Sequence, residues 1–510
     1  MRKKLFRYIF SRRFFVVLLL LIQIAVFAYM VWDTSHSNII ISIFLNILSV
    51  LAVLYILNRN DKPGYKLTWI VFITALPVFG GLFYLIFKLQ SSARNFKKDL
   101  NYTIEKSRNV LNQDDTVLEK FEVDFPEYKP QIDYLIKTVG APIYQNTHTE
   151  YLSTGEKQYA HMIEEIKKAE RYIFLEFFII EEGHMWDNML ELLKEKAAKG
   201  VEVRILYDDV GCFLKLPQDY DKALAKFGIK CVVFNPFHPI WSTVQNNRDH
   251  RKIVVVDGVT AFTGGSNLAD EYINAIDRFG HWKDAGIMVK GDAAWSFTVM
   301  FLQMWNTVNR INYGFADFKP TLEYDYSASA GYVQPYDDSP LDFENVGEHV
   351  YLQIINRANK YVYITTPYLI IDDNMLSALR LAAKSGIDVR IITPSVPDKK
   401  IVHMTTRSYY KTLMQAGVKI YEYSPGFIHS KLFVSDDTIA TVGTVNLDFR
   451  SLYLHFECGT LIHGTDSIPE IKEDFLELLT MCREISPDDI KKNIFLRLMR
   501  LFLKLCAPLM

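Results

Sequence analysis

Cysteine is scarce in this sequence. The 510 residues include five, at positions 212, 231, 458, 482 and 506, with no Cys-x-x-Cys spacing. An odd, scattered set argues against a disulfide framework and a thiolate zinc site, and it fits thiols kept on the reducing side of a membrane. Charge of one sign is not in excess either: 57 Lys and Arg face 59 Asp and Glu, a net charge of −2. That balance removes the global basic signature of a nucleic-acid binder, and no nucleic-acid partner is expected. Apolar residues at 49% against 23% charged exclude a disordered chain.

Charge is missing altogether from three N-terminal stretches, 14–31, 39–57 and 69–87. At about 1.5 Å per residue each is long enough to cross a bilayer core, so transmembrane helices are expected. A basic segment precedes the first, as in a cleaved signal. No Ala-x-Ala-like site closes it, however, and retained anchors are the expectation. Arg2, Lys3, Lys4, Arg7, Arg12 and Arg13 place the N-terminus inside. Three full spans would put the remainder outside, yet Lys88, Arg94, Lys97 and Lys98 follow at once. Either the third stretch is a hairpin broken near 77–81 or one stretch does not span. The expectation is a multi-pass protein of the cell membrane with a cytoplasmic catalytic region.

Beyond about residue 100 the pattern alternates between helices and β-prone apolar runs, which predicts α/β layers with helix-covered sheets. The pattern then repeats. The run at 197–206, AAKGVEVRIL, returns at 382–392 as AAKSGIDVRII. Gly228-Ile229-Lys230 returns as Gly417-Val418-Lys419. One long repeat marks two homologous domains rather than a solenoid of short units. The expected division is 1–90 as membrane anchor, 91–325 as the first α/β domain and 326–510 as the second, with the boundary in the irregular stretch 315–342.

Each copy leads into the same cassette. The first has His250, Lys252 and Asp257, then Gly264 and Asn267; the second has His429, Lys431 and Asp436, then Gly443 and Asn446. Both histidines begin β-branched runs that read as buried strands, where positions i and i+2 share a face. His and Lys are thus expected to line one pocket, with the Asp at the strand end to support the site or a turn. The Asn amides are expected to donate to phosphate oxygens. Two copies around one anion supply what phosphoryl transfer without metal requires. One neutral imidazole attacks phosphorus, the other carries a proton to and from the alcohols, and Lys and Asn hold the non-bridging oxygens. With 12 histidines in the chain, a single cassette arises by chance about 0.03 times. Two copies inside a longer repeat do not. Lys is a poor ligand at neutral pH, and no His-x3-His spacing accompanies the cassettes, so neither metal nor cofactor is expected.

Glu457 and Asp284 follow the cassettes and are candidates to set an imidazole tautomer, with a purely structural carboxylate as the alternative. Tyr368 and Tyr207-Asp208-Asp209 sit where parallel strands end, a position that serves ligands or the fold. The basic residues Arg497, Arg500 and Lys504 stripe an apolar C-terminal helix, which suits an anionic membrane interface or plain packing.

The paired cassettes resemble the phospholipase D superfamily and, more closely, the bacterial cardiolipin synthases. The resemblance covers nearly everything after about residue 40. It is carried by 69–87, with its Leu76-Pro77 and Gly80-Gly81; by the segments around 245–272 and 424–451; by Trp282-Lys283-Asp284; and by Thr366-Pro367-Tyr368. It implies two phospholipase D-like domains facing one shared site, with His250, Lys252, Asp257, His429, Lys431 and Asp436 as the active-site set. The implied reaction takes two phosphatidylglycerols to cardiolipin and glycerol through a phosphohistidine, His250 being the favoured nucleophile by analogy. The implied partners are phosphatidylglycerol and other anionic lipids. Thr444 stands where such proteins more often have Ser, and His455 where they often have Asn. A hydrolase, a nuclease or another phosphatidyltransferase would share the cassettes.

Overall fold

The computed structural model describes residues 39–76, 80–81, 84–85, 92–237, 246–311, 314–342, 344–489 and 494–509, and three single positions at 21, 25 and 29. The stretch 14–31 apart from those three positions, the basic residues Arg2, Lys3, Lys4, Arg7, Arg12, Arg13 and Lys88, and parts of 69–87 therefore fall outside the described residues. The chain divides into two compact units: 1–95 with 235–247 and 505–510, and 96–234 with 248–504.

In the first unit, helices α1 (Ile39–Leu57) and α2 (Pro63–Ala75) pack through Ala52, Ile56, Ile73 and Tyr84. Pro63 opens α2, where its missing N–H costs nothing. Gly81 is required by close approach: a Cβ there would lie 2.6 Å from the Ser49 Cα. The outer side of α1 leaves Ile43, Phe44, Ile47, Val50, Leu51 and Leu54 exposed. Side chains of α1 are described without interruption only over 43–57, and among the described residues no helix is long and apolar enough to cross a membrane.

The second unit holds two mixed sheets of matching topology. The first contains β1 (Thr147–Leu152), β2 (Tyr172–Phe177), β3 (Glu202–Asp208) and β4 (Lys230–Phe234). After the short β5 (Arg248–Asp249) come β6 (Lys252–Val256) and β7 (Thr260–Gly264), and after β8 (His281–Lys283) comes β9 (Gly286–Gly291). Its order is β1-β9-β7-β6-β2-β3-β4, parallel through β2-β3-β4 and antiparallel elsewhere. The second contains β10 (Tyr332–Asp338), β11 (Tyr361–Thr365), β13 (Asp388–Pro394), β14 (Lys419–Tyr423), β16 (Leu432–Ser435), β17 (Ile439–Gly443), β19 (His455–His463) and β20 (Cys482–Glu484). The short strands β12 (Leu369–Ile370), β15 (Gly426–Ile428) and β18 (Leu447–Asp448) lie outside that sheet. The order β10-β19-β17-β16-β11-β13-β14 repeats the first sheet strand for strand, and β20 extends its edge. The sequence repeat is thus a repeat of fold.

Strand periodicity explains how each sheet buries both faces. Ile253 and Val255 of β6 join the core shared by the two sheets, whereas Val254 and Val256 join the cluster on the other face. The shared core is filled by helix α3 (Ala294–Asn309), buried from Ala294 through Thr307, and by Ile468, Ile471 and Phe475 of helix α4 (Ser467–Thr480). The chain before β1 also contacts the later repeat: Phe121 packs edge-on against Tyr332 and His463. The C-terminal helix α5 (Ile494–Cys506) exposes Leu498, Leu501 and Phe502, and Lys504 Nζ lies 4.6 Å from the Tyr409 ring centroid. The side chain of Arg497 lies outside the described residues.

Candidate active site

The two repeats exchange strands around their histidines. Strand β5 pairs in parallel with the start of β19, Arg248 opposite His455 and Asp249 opposite Phe456, and the His250 N–H donates to the Phe456 carbonyl. Strand β8 pairs in parallel with β15, Trp282 opposite Phe427 and Lys283 opposite Ile428, and the His429 N–H donates to the Lys283 carbonyl. One step further in each register, His250 meets Glu457 and His429 meets Asp284. The structure also corrects a detail: the histidines precede β6 and β16 in short irregular links rather than beginning those strands. A link between two strands in different sheets is what lets each imidazole reach the opposite repeat.

His250 Nδ1 lies 2.9 and 3.0 Å from the two Glu457 oxygens, and His429 Nδ1 lies 2.7 Å from Asp284 Oδ2. Both carboxylates are fully buried. Thr444 Oγ1 donates to Glu457 at 2.5 Å, and the Ala285 N–H donates to Asp284 at 2.9 Å. Each carboxylate therefore fixes an Nδ1–H tautomer, which puts the lone pair on Nε2. Lys252 Nζ donates to the His250 carbonyl at 2.6 Å, and Lys431 donates to the His429 carbonyl. Lys431 Nζ also lies 2.9 Å from His429 Nδ1. The Nδ1 proton is committed to the shorter, ionic contact with Asp284. Aromatic rings wall the imidazoles, Phe178 beside His250 and Tyr272, Trp282 and Phe427 around His429.

Electrostatically the cluster is suited to an anion. Burial lowers the His250 pKa well below the usual imidazole range, and the neighbouring Lys252, Lys431 and His429 lower it further. Burial and Lys431 lower His429 to about 4, against the pull of Asp284. Burial lowers Lys252 to about 8 and Lys431 to about 7. Burial opposes ionisation of Asp284, but His429 and Lys431 hold its pKa below the ordinary value. A bound phosphodiester would reverse the shifts of the cationic groups, since an anion among them favours their charged forms.

Not every predicted residue joins the cluster. Asp257 and Asp436 sit at the far ends of their strands in left-handed conformation, φ 53° and 55°. Asp257 accepts the N–H groups of Glu170, Arg171 and Tyr172, and Asp436 those of Asn359, Lys360 and Tyr361. Their geometry is that of a clasp at the start of β2 and β11. Asn267 spends its carbonyl on the Ile179 N–H and one amide hydrogen on the Tyr272 hydroxyl, and Asn446 donates to the Ser451 hydroxyl. Each amide keeps a second hydrogen for a ligand. Asp208 braces the site indirectly, holding Arg248 at 2.8 Å and the Asp249 N–H at 3.0 Å. Tyr368 donates to Asp398 at 2.5 Å. His455, marked in the sequence as a departure from related proteins, lies with its ring centroid 5.4 Å from that of His250.

Comparison with known proteins places both repeats in one family. A family model described as cardiolipin synthase, PLD-like domain, matches residues 162–305 and 351–479, and one described as phospholipase D-nuclease N-terminal matches 47–88. The chain is 45% identical to an uncharacterized protein of Streptococcus mutans over 90% of its own length and 99% of the relative. It is 33% identical to a cardiolipin synthase of Geobacillus sp. strain WCH70 over 97% and 99%, and 34% identical to that of Alkalihalophilus pseudofirmus over 91% and 94%. The crystal structure of phosphatidylserine synthase from Haemophilus influenzae shares the fold, with TM-score 0.54 and 14% identity over 71% of this chain and 95% of that one. By its paired family matches and the length over which these relatives align, the chain belongs to the cardiolipin synthase family of phospholipase D-like proteins.

Proposed function

We propose that the protein transfers a phosphatidyl group from one phosphatidylglycerol to another, giving cardiolipin and glycerol, at the site formed by both cassettes. The observation that supports the reading is the reciprocal pairing of His250 with Glu457 and His429 with Asp284, in a buried cluster where Lys252, Lys431 and His429 all act on His250. His250 Nε2 attacks phosphorus, and the bond to the glycerol oxygen breaks as His429 Nε2 delivers a proton to it. The 3′-side hydroxyl of the second lipid then gives its proton to His429 and attacks phosphorus, and the N–P bond to His250 breaks. Lys252, Lys431, Asn267 and Asn446 hold the non-bridging oxygens. His250 is assigned as the nucleophile by analogy with related proteins; burial and neighbouring cations lower the pKa of both imidazoles, and at His429 Asp284 opposes them.

The membrane part of the proposal places 1–90 as a multi-pass anchor, 91–325 and 326–510 as the two catalytic domains, and the site on the cytoplasmic side. The continuous exposed apolar side of α1 suits contact with lipid rather than water. Purified full-length protein given vesicles of phosphatidylglycerol alone should form cardiolipin and glycerol in equal amounts. Phosphatidic acid as the sole lipid product would make it a hydrolase instead.

A further inference from the structure

We propose that His250, His455 and Glu457 form a binding site for a borderline divalent transition ion, with Zn2+ as probe, and that occupancy holds the enzyme inactive. Two imidazoles and a carboxylate are a donor set that such ions prefer. Ligand atoms of the three residues lie within 4.8 Å of one another. Sequence spacing conceals the set, because His250 arrives from the other repeat.

The geometry is close to a coordination shell. Glu457 Oε1 lies 2.9 Å from His250 Nδ1 and 3.7 Å from His455 Nδ1. A tetrahedral ion with bonds of about 2.0–2.1 Å separates its ligands by roughly 3.3–3.4 Å, so the two edges bracket that value. The independent observation is His455 itself. It is 8% exposed, and neither ring nitrogen has a hydrogen-bond partner. Buried polar atoms are ordinarily bonded, and a buried imidazole beside a carboxylate offers a lone pair to a metal ion. Thr444, donating to Glu457, supplies the outer hydrogen bond that orients a ligating carboxylate. Lys252 and Lys431 oppose a dication, so the site binds more weakly than a structural zinc centre.

Inhibition follows from the tautomer. An imidazole that gives its Nδ1 lone pair to a metal carries its proton on Nε2. His250 would then have no lone pair to form a bond to phosphorus, and Glu457 would be engaged with the ion.

The test uses full-length protein in detergent, stripped with EDTA and titrated with Zn2+. Metal bound after gel filtration is measured by elemental analysis, and cardiolipin formation is referred to each protein's own rate in EDTA. Wild type should bind an ion that His455→Asn and His455→Gln do not. Its activity should fall with occupancy and return on chelation, while the variants need at least tenfold more Zn2+ for the same inhibition. Equal metal content in wild type and variants, or equal zinc sensitivity, overturns the proposal. So does a thiolate charge-transfer band in the Co2+-loaded protein, which would put the ion on a cysteine. Only the inhibition readout rests on the proposed transfer reaction; the binding readout decides the site even if no cardiolipin is formed.

Discussion

Glu457 receives the Nδ1–H of His250 at 2.9 Å across 207 positions of sequence, and does so because β5 is a strand of the opposite repeat's sheet. The same exchange through β8 and β15 delivers Asp284 to His429. Neither repeat owns a complete histidine–carboxylate pair. The site is therefore a property of the duplicated chain.

Neutralising either carboxylate while keeping its shape should break tautomer control. Glu457→Gln and Asp284→Asn are each expected to lower kcat by about 10²–10⁴ with little change in KM, the size seen when a histidine's orienting carboxylate is replaced elsewhere. Combining Glu457→Gln with His250→Ala should add almost nothing to His250→Ala alone, because the two act as a unit. Steady-state kinetics on phosphatidylglycerol vesicles check both. Full additivity would detach Glu457 from His250.

Asp257 and Asp436 should report on stability. Asn tolerates their left-handed backbone but accepts with one oxygen only, so Asp257→Asn and Asp436→Asn lose part of a three-bond clasp. The expected cost is about 1–3 kcal/mol each in denaturant unfolding. The rate per folded molecule should stay within about tenfold of wild type, as expected for groups that make no transition-state contact. A collapse of kcat at unchanged stability would place the aspartates in the chemistry.

Much of this arrangement was legible in the sequence, for physical reasons. The β-branched runs after His250 and His429 announce strands, and the matching cassettes announce two copies of one fold. Glu457 and Asp284 were visible as carboxylates, but their partners were not. Which histidine each serves depends on β5 pairing with β19 and β8 with β15, two- and three-residue strands with no periodic signal. Whether Asp257 and Asp436 serve the site or a turn stayed open, because a strand end looks the same in sequence whether it faces a pocket or clasps a turn. The aromatic wall of Tyr272, Trp282 and Phe427 reads as ordinary core until the second repeat is folded against the first.

Gly265 offers a steric test of Asp284. A Cβ at this position would lie 1.9 Å from Asp284 Oδ1, so Gly265→Ala must push the carboxylate aside. A displacement of about 1 Å is enough to cost roughly 10²-fold when a catalytic pair is misaligned. Activity should fall by that order while the Glu457–His250 pair is untouched. In the variant, the imidazole NMR signals of His429 should lose the downfield Nδ1–H resonance and those of His250 should keep theirs. Retention of both resonances would show that the loop adjusts instead.

The lysines predict how the site answers an anion. Burial lowers Lys252 to about 8 and Lys431 to about 7, against an ordinary lysine value of 10.5, so both are largely deprotonated at pH 9. An oxyanion such as vanadate favours their charged forms and raises both values. Binding at pH 8 should then take up protons, seen as a dependence of calorimetric heat on the buffer's ionisation enthalpy. Affinity should fall as pH rises from 7 to 9. The sign for stability follows from the same shifts. Between the lowered folded values and 10.5, the unfolded chain binds more protons than the folded one, so these lysines make the anion-free protein more stable as pH rises. Vanadate should flatten that slope, and Lys431→Met should remove part of both the slope and the proton uptake. Anion binding with no proton uptake at pH 8 would mean that the ammonium groups are already charged before vanadate is added.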